Sequence, residues 1–62
     1  MFIHPTKGDV YLGDSVYLQK NPNGFLGVAL YTYNGMTVAD EIILEPDVLI
    51  NFTKELERRV AG

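Results

Sequence analysis

Residues 40–60, DEIILEPDVLINFTKELERRV, decide how this chain must be read. The apolar Ile42-Ile43-Leu44 runs into Glu45-Pro46-Asp47, and beyond it the spacing of apolar residues changes from a strand's to a helix's. Proline is favoured at a first helical position, where its missing N–H would be unpaired anyway and its φ is already suitable. Glu45 is then the N-cap, a weaker one than Ser, Thr, Asp or Asn. Asp47 in the first turn and Arg58 and Arg59 in the last suit the helix dipole. Val48, Leu49, Phe52, Leu56 and Val60 form one apolar stripe, with Thr53 inside it. Lys54, Glu55, Glu57 and Arg58 fall outside it, Ile50 projects to the flank where a second subunit could meet it, and Gly62 closes the chain. The expected helix spans residues 46–60.

Upstream, the chain reads as hairpins that such a helix could cover. The triplet Val-Tyr-Leu occurs at residues 10–12 and again at 16–18, around a Gly13-Asp14 loop. Asn21-Pro22-Asn23-Gly24 marks a second turn, with Gly24 suited to positive φ. Residues 25–33 are the longest strand candidate, Asn34-Gly35 is a third turn, and residues 41–44 feed the helix. Residues 1–9 read as an irregular arm, with Phe2 and Ile3 pairing at a sheet edge or lying on a partner and His4 at the surface. The expectation is one α+β domain over residues 1–62: arm (1–9), a three- to four-stranded antiparallel sheet (10–44), and one C-terminal helix packed on a face of it (46–60), in the order β-β-β-β-α.

Composition narrows the classes. With 62 residues the chain makes one domain, and one this small buries only about 60% of the surface its unfolded chain exposes. There is no cysteine for a disulfide or thiolate site, and a single histidine cannot build a structural zinc site by itself. Extra stability must come from packing or oligomerisation. No apolar run approaches membrane-spanning length, and Met1-Phe2-Ile3 is too short an apolar start for a signal peptide. A cytoplasmic protein, with no membrane and no cofactor, is expected. Residues 25–53 carry Asp40, Glu41, Glu45 and Asp47 with no Lys or Arg, which makes an acidic partner patch. Five Lys and Arg in all disfavour phosphate binding.

The sheet faces carry the functional argument. In the third strand Leu26, Val28 and Leu30 share a face that Val16 and Leu18 can join, suited to the helix stripe. The opposite face takes Phe25, Tyr31 and Tyr33, with Gly27 and Ala29 between them and Tyr17 alongside. An antiparallel sheet with one covering helix usually turns a polar face to water. Here neither face is polar, so one lacks a cover, and an apolar patch of that kind marks an interface. A homodimer would bury it, through that face or through an unpaired strand edge. The expected interface residues are Tyr17, Phe25, Tyr31, Tyr33 and Ile50.

No catalytic constellation accompanies them. Gly24 and Gly27 fall at a turn and in a strand, away from any helix N-terminus. Ser15 has no histidine at suitable spacing. Asp40 and Glu41, adjacent in a strand, point to opposite faces and make a poor metal or acid–base pair. The Asn51-Phe52-Thr53 sequon places Phe52 in the buried stripe.

From residue 14 onward, DSVYL, a turn, GVALYTYNG and DEIILEPDVL followed by a helix resemble small accessory proteins of tailed bacteriophages. The Leu44-Glu45-Pro46-Asp47 joint and the order of strands then helix are also similar to the single-stranded-DNA-binding domain of the transcriptional positive cofactor family. The first resemblance implies a viral protein that inhibits or modulates a host protein. The second implies a homodimer whose sheet face grips single strands, with Tyr17, Tyr31 and Tyr33 as stacking platforms. The basic residues that such a grip needs do not match, since the strands offer little beyond Lys7 and Lys20. The leading expectation is therefore a non-enzymatic, homodimeric protein-binding module. Single-stranded nucleic-acid binding through the tyrosine face is the alternative.

Overall fold

A computed structural model of the chain describes residues 3–61, with side chains through residue 59. Phe2 and Gly62, assigned above to an edge strand or partner contact and to the chain end, lie outside what it describes, as does the side chain of Val60, assigned to the helix stripe. The protein is a four-stranded antiparallel sheet followed by one C-terminal helix. The strands are β1 (Val10–Gly13), β2 (Val16–Lys20), β3 (Val28–Tyr33) and β4 (Val38–Leu44), adjacent in sequence order, and the helix is α1 (Pro46–Ala61).

Turn chemistry explains the connections. The β1–β2 hairpin turns at Asp14-Ser15, one residue later than the Gly13-Asp14 loop expected, and both turn residues have positive φ, 49° and 67°. That is the backbone of a type I′ turn, whose twist matches a hairpin. Gly13, at φ 112°, stays in the ladder opposite Val16, beside a register shift that leaves Leu12 unpaired. Pro22–Gly24 forms one turn of 3-10 helix, pinned by Gly24 N–H to the Asn21 carbonyl at 3.1 Å and Phe25 N–H to the Pro22 carbonyl at 2.9 Å. This turn takes Phe25, Leu26 and Gly27 out of the strand, so β3 begins at Val28. At the β3–β4 hairpin the Asn34 Oδ1 accepts from the Met36 and Thr37 amides at 2.8 and 2.9 Å, an Asx-type local bond. β4 runs through Val38–Leu44, with a register shift against β3 that leaves Ala39 without a partner in the ladder.

The helix begins where its proline sets it, with Pro46 in the first position and the Leu49 amide bonded to the Glu45 carbonyl at 2.8 Å. Thr53 Oγ1 donates back to the Leu49 and Ile50 carbonyls, and Glu55 bridges Arg58 and Arg59 at 3.1 and 3.3 Å. A single residue, Glu45, separates β4 from α1. That joint has no slack to carry the helix back over the sheet, and α1 meets the sheet chiefly at β4. The stripe residues Val48, Phe52 and Leu56 remain exposed.

The core sits elsewhere. Ile3, Ala29 and Tyr31 are buried together, with Tyr17, Tyr33, Val38 and Ile43 packed around them. All of these sheet residues belong to the tyrosine face, and its cover is the N-terminal arm. Ile3 therefore lies on its own sheet, neither at an edge nor on a partner.

Candidate interaction surfaces

Register builds two rows of side chains across the sheet. Tyr11 pairs with Tyr17, Tyr17 with Tyr31, and Tyr31 with Glu41. One residue along, Val10, Leu18, Leu30 and Ile42 are aligned across all four strands. Side chains alternate along each strand, so the first row lies on one face and the second on the other.

The tyrosine row is bound by aromatic contact and roofed at Tyr31, while Tyr17 is half-buried and Tyr11 at the β1 end is exposed. Tyr17 stacks on Tyr31 with centroids 5.3 Å apart and meets Tyr33 edge-on at 6.2 Å and Tyr11 at 5.1 Å, geometries that suit the ring quadrupoles. The arm crosses above them. At one end the Ile3 amide donates to Glu41 Oε2 at 2.6 Å. At the other, Asp9 gathers the Thr6 amide and Gln19 Nε2, both at 3.0 Å, the Thr6 hydroxyl at 2.6 Å, and the Tyr31 hydroxyl. Gln19 Nε2 also reaches the His4 carbonyl at 2.8 Å. Buried polar groups are thus paired with one another across the arm and three strands. Burial raises the Asp9 carboxyl, but the hydrogen bonds from Thr6, Tyr31 and Gln19 outweigh it and hold it below its ordinary value. Burial, and then the neighbouring Asp9, pushes the Tyr31 phenol well above its own.

This arrangement corrects the tyrosine-face interface. Tyr31 is only 2% exposed and is a core residue of its own chain, so it offers no open ring for a partner or a base. Tyr17 and Tyr33 are half-buried around it. Phe25 is exposed but stands in the loop before β3, off the sheet face. Ile50 is exposed on the helix flank. The acidic patch is likewise divided. Asp40 is exposed on the aliphatic face beside Thr32, whose hydroxyl accepts its amide at 3.1 Å. Glu41 is half-buried on the other face, holding the arm. Glu45 and Asp47 are exposed at the joint and the first helical turn. Sequence reasoning missed Asp9 and Gln19; the available signal was a glutamine directly after the apolar Val16-Tyr17-Leu18, opposite Ala29.

The aliphatic row has no such roof. Ile42 is 56% exposed, Val10 is exposed, and Leu18 and Leu30 are half-covered. A shallow hollow of about 230 Å³ lies between Val16, Leu30, Thr32, Asp40 and Ile42. Phe52 on the helix is 42% exposed. In total the chain exposes 4901 Å², where a compact monomer of its 6.9 kDa would expose about 4,000 Å². Its radius of gyration of 12.4 Å exceeds the roughly 10.6 Å of a compact domain of this length. The aliphatic face and the helix stripe are two apolar parts of that extended surface, with Tyr11, Phe25, Leu26 and Met36 exposed elsewhere.

Among the described residues no three His, Asp or Glu side chains gather as a metal site, and no helix is long and apolar enough to cross a membrane. No family model matches the chain, and no curated protein or solved structure matches it either.

Proposed function

We propose that the chain is a non-enzymatic module whose work is binding protein, and whose first partner is a second copy of itself. The observation that carries this reading is the unroofed aliphatic row, Val10, Leu18, Leu30 and Ile42, in a chain that also leaves its helix stripe open. The roughly 900 Å² by which the exposed surface exceeds that of a compact monomer is close to the ~800 Å² that each partner contributes to a standard interface. Removing the apolar part of that area from water is worth tens of calories per mole for each Å², which works against the cost of association when packing is good. Closed two-fold pairs are the commonest way for a small chain to do so. Sedimentation equilibrium at micromolar concentration should give twice the 6.9 kDa chain mass. A single-chain mass at every concentration reached would overturn the reading.

The target beyond the second copy is a cytoplasmic protein of a host cell, a step supported only by the sequence resemblance to phage accessory proteins. Affinity capture from such a cell should return one stoichiometric partner. Loss of that partner on substituting Asp47→Lys, in the exposed first turn of α1, would assign the acidic residues a part in its recognition.

A further inference from the structure

We infer that the two open apolar surfaces cover one another between copies: the α1 stripe of each chain lies on the Val10-Leu18-Leu30-Ile42 row of the other. The inference rests on the self-association proposed above and names the surfaces that carry it. Three features of the chain lead to it.

The surfaces match in kind. The sheet row is wholly aliphatic across four strands. The helix presents Val48, Phe52 and Leu56 along one side, and a sheet face and an amphipathic helix are each other's ordinary partners in layered folds. The hollow of about 230 Å³ beside Leu30 and Ile42 gives a large side chain such as Phe52 a place to enter.

They also match in size. A 16-residue helix is about 24 Å long, and a four-stranded sheet is about 14 Å from first to last strand. One helix therefore spans the whole row and overlaps its rims. The charges on that face, Lys20 and Asp40, occupy the rungs on either side of the row, leaving its centre apolar as the middle of an interface requires.

Finally, the chain does not cover the row itself. The one-residue joint at Glu45 directs α1 away, with its sheet contacts chiefly at β4. In a two-fold pair the same geometry is an advantage, because each projecting helix reaches the neighbour's sheet and both rows are closed at once.

The chain has no cysteine, which makes pairwise cross-linking a direct test. Ile42→Cys and Phe52→Cys are each made alone, and both sites are exposed in the single chain, so far-UV circular dichroism should match the parent. Mixed and mildly oxidised, the two variants should yield a disulfide between position 42 of one chain and position 52 of the other, in excess of either like-with-like product. Leu30→Cys mixed with Phe52→Cys should do the same from the neighbouring strand. Ile42→Asp should separately convert the sedimenting dimer to single chains. A dimer that gives only like-with-like disulfides, or that survives Ile42→Asp unchanged, overturns this arrangement while leaving self-association standing. If a chain carrying both Ile42→Cys and Phe52→Cys closes the bond within itself, at single-chain mass, the helix folds back on its own sheet and both proposals are overturned.

Discussion

At Asp9, burial and hydrogen bonding act in opposite directions, and bonding prevails: four donated hydrogen bonds keep the carboxyl below its ordinary 3.8. A carboxyl depressed in the folded state contributes stability that is fully present above its unfolded value and disappears as pH falls through the folded one. Urea unfolding should therefore show little change from neutral pH down to the unfolded value near 3.8 and a loss below it, and Asp9→Asn should flatten that acid limb. Tyr31 works at the other end. Its phenol is raised above the ordinary 10.0, so its contribution is present below that pH and lost as the pH rises beyond it. Tyr31→Phe removes a hydrogen bond to a charged acceptor, worth about 1.5–3 kcal/mol, and should abolish the alkaline limb. Gly27 is fixed for another reason. Its φ is +111°, and a Cβ there would overlap the Leu44 carbonyl oxygen. Gly27→Ala should cost roughly 1–3 kcal/mol from backbone strain alone, with more from the overlap, read as a lower denaturation midpoint.

Among the elements, the arm does what a second layer does in a larger domain. It brings Ile3 onto Ala29 and Tyr31 and ties itself down at Glu41 and Gln19. Ile3→Ala should cost about 2–5 kcal/mol, the range for emptying a buried aliphatic site. That is most of what a domain this small possesses, at about 0.05–0.15 kcal/mol per residue, so the variant should be largely unfolded at moderate urea. The helix is in the opposite position. At 16 residues it is near the length at which an isolated helix is marginal in water, and its stripe has little of its own sheet to rest on. Hydrogen exchange should find α1 amides protected at high protein concentration and much less so on dilution, while β2 and β3 stay protected at both. Equal protection of α1 at every dilution would mean that the helix needs no partner.

For the molecule as a whole, the controlling fact is a sheet with two apolar faces and one roof. The chain extends 38 × 25 × 18 Å, long for its mass because arm and helix lie on different parts of the sheet and do not both add to one core. In the proposed dimer, a second copy would restore compactness without lengthening the chain. This gives the expected dimer a thermodynamic signature: unfolding midpoints should rise with protein concentration. A midpoint independent of concentration over two decades would argue against coupled folding and association.

Sequence alone determined the element types and their order. The Pro46 joint, the Asn-Gly turn, the Gly-Asp signal that fell one residue short of the Asp14-Ser15 turn, and the change from strand to helical spacing are local signals, because φ, ψ and capping depend on near neighbours. The alternation in residues 28–33 likewise separated tyrosines from aliphatics before any contact was known. Only the tertiary structure decided which face would be roofed. Residues 3–9 carry no periodicity, and their hold on Tyr31 comes from Asp9, Gln19 and Glu41, up to 38 residues distant along the chain. A covering segment held by long-range hydrogen bonds leaves no repeating mark on the sequence, whereas a helix stripe does. For that reason the helix looked like the lid, and the arm is the lid.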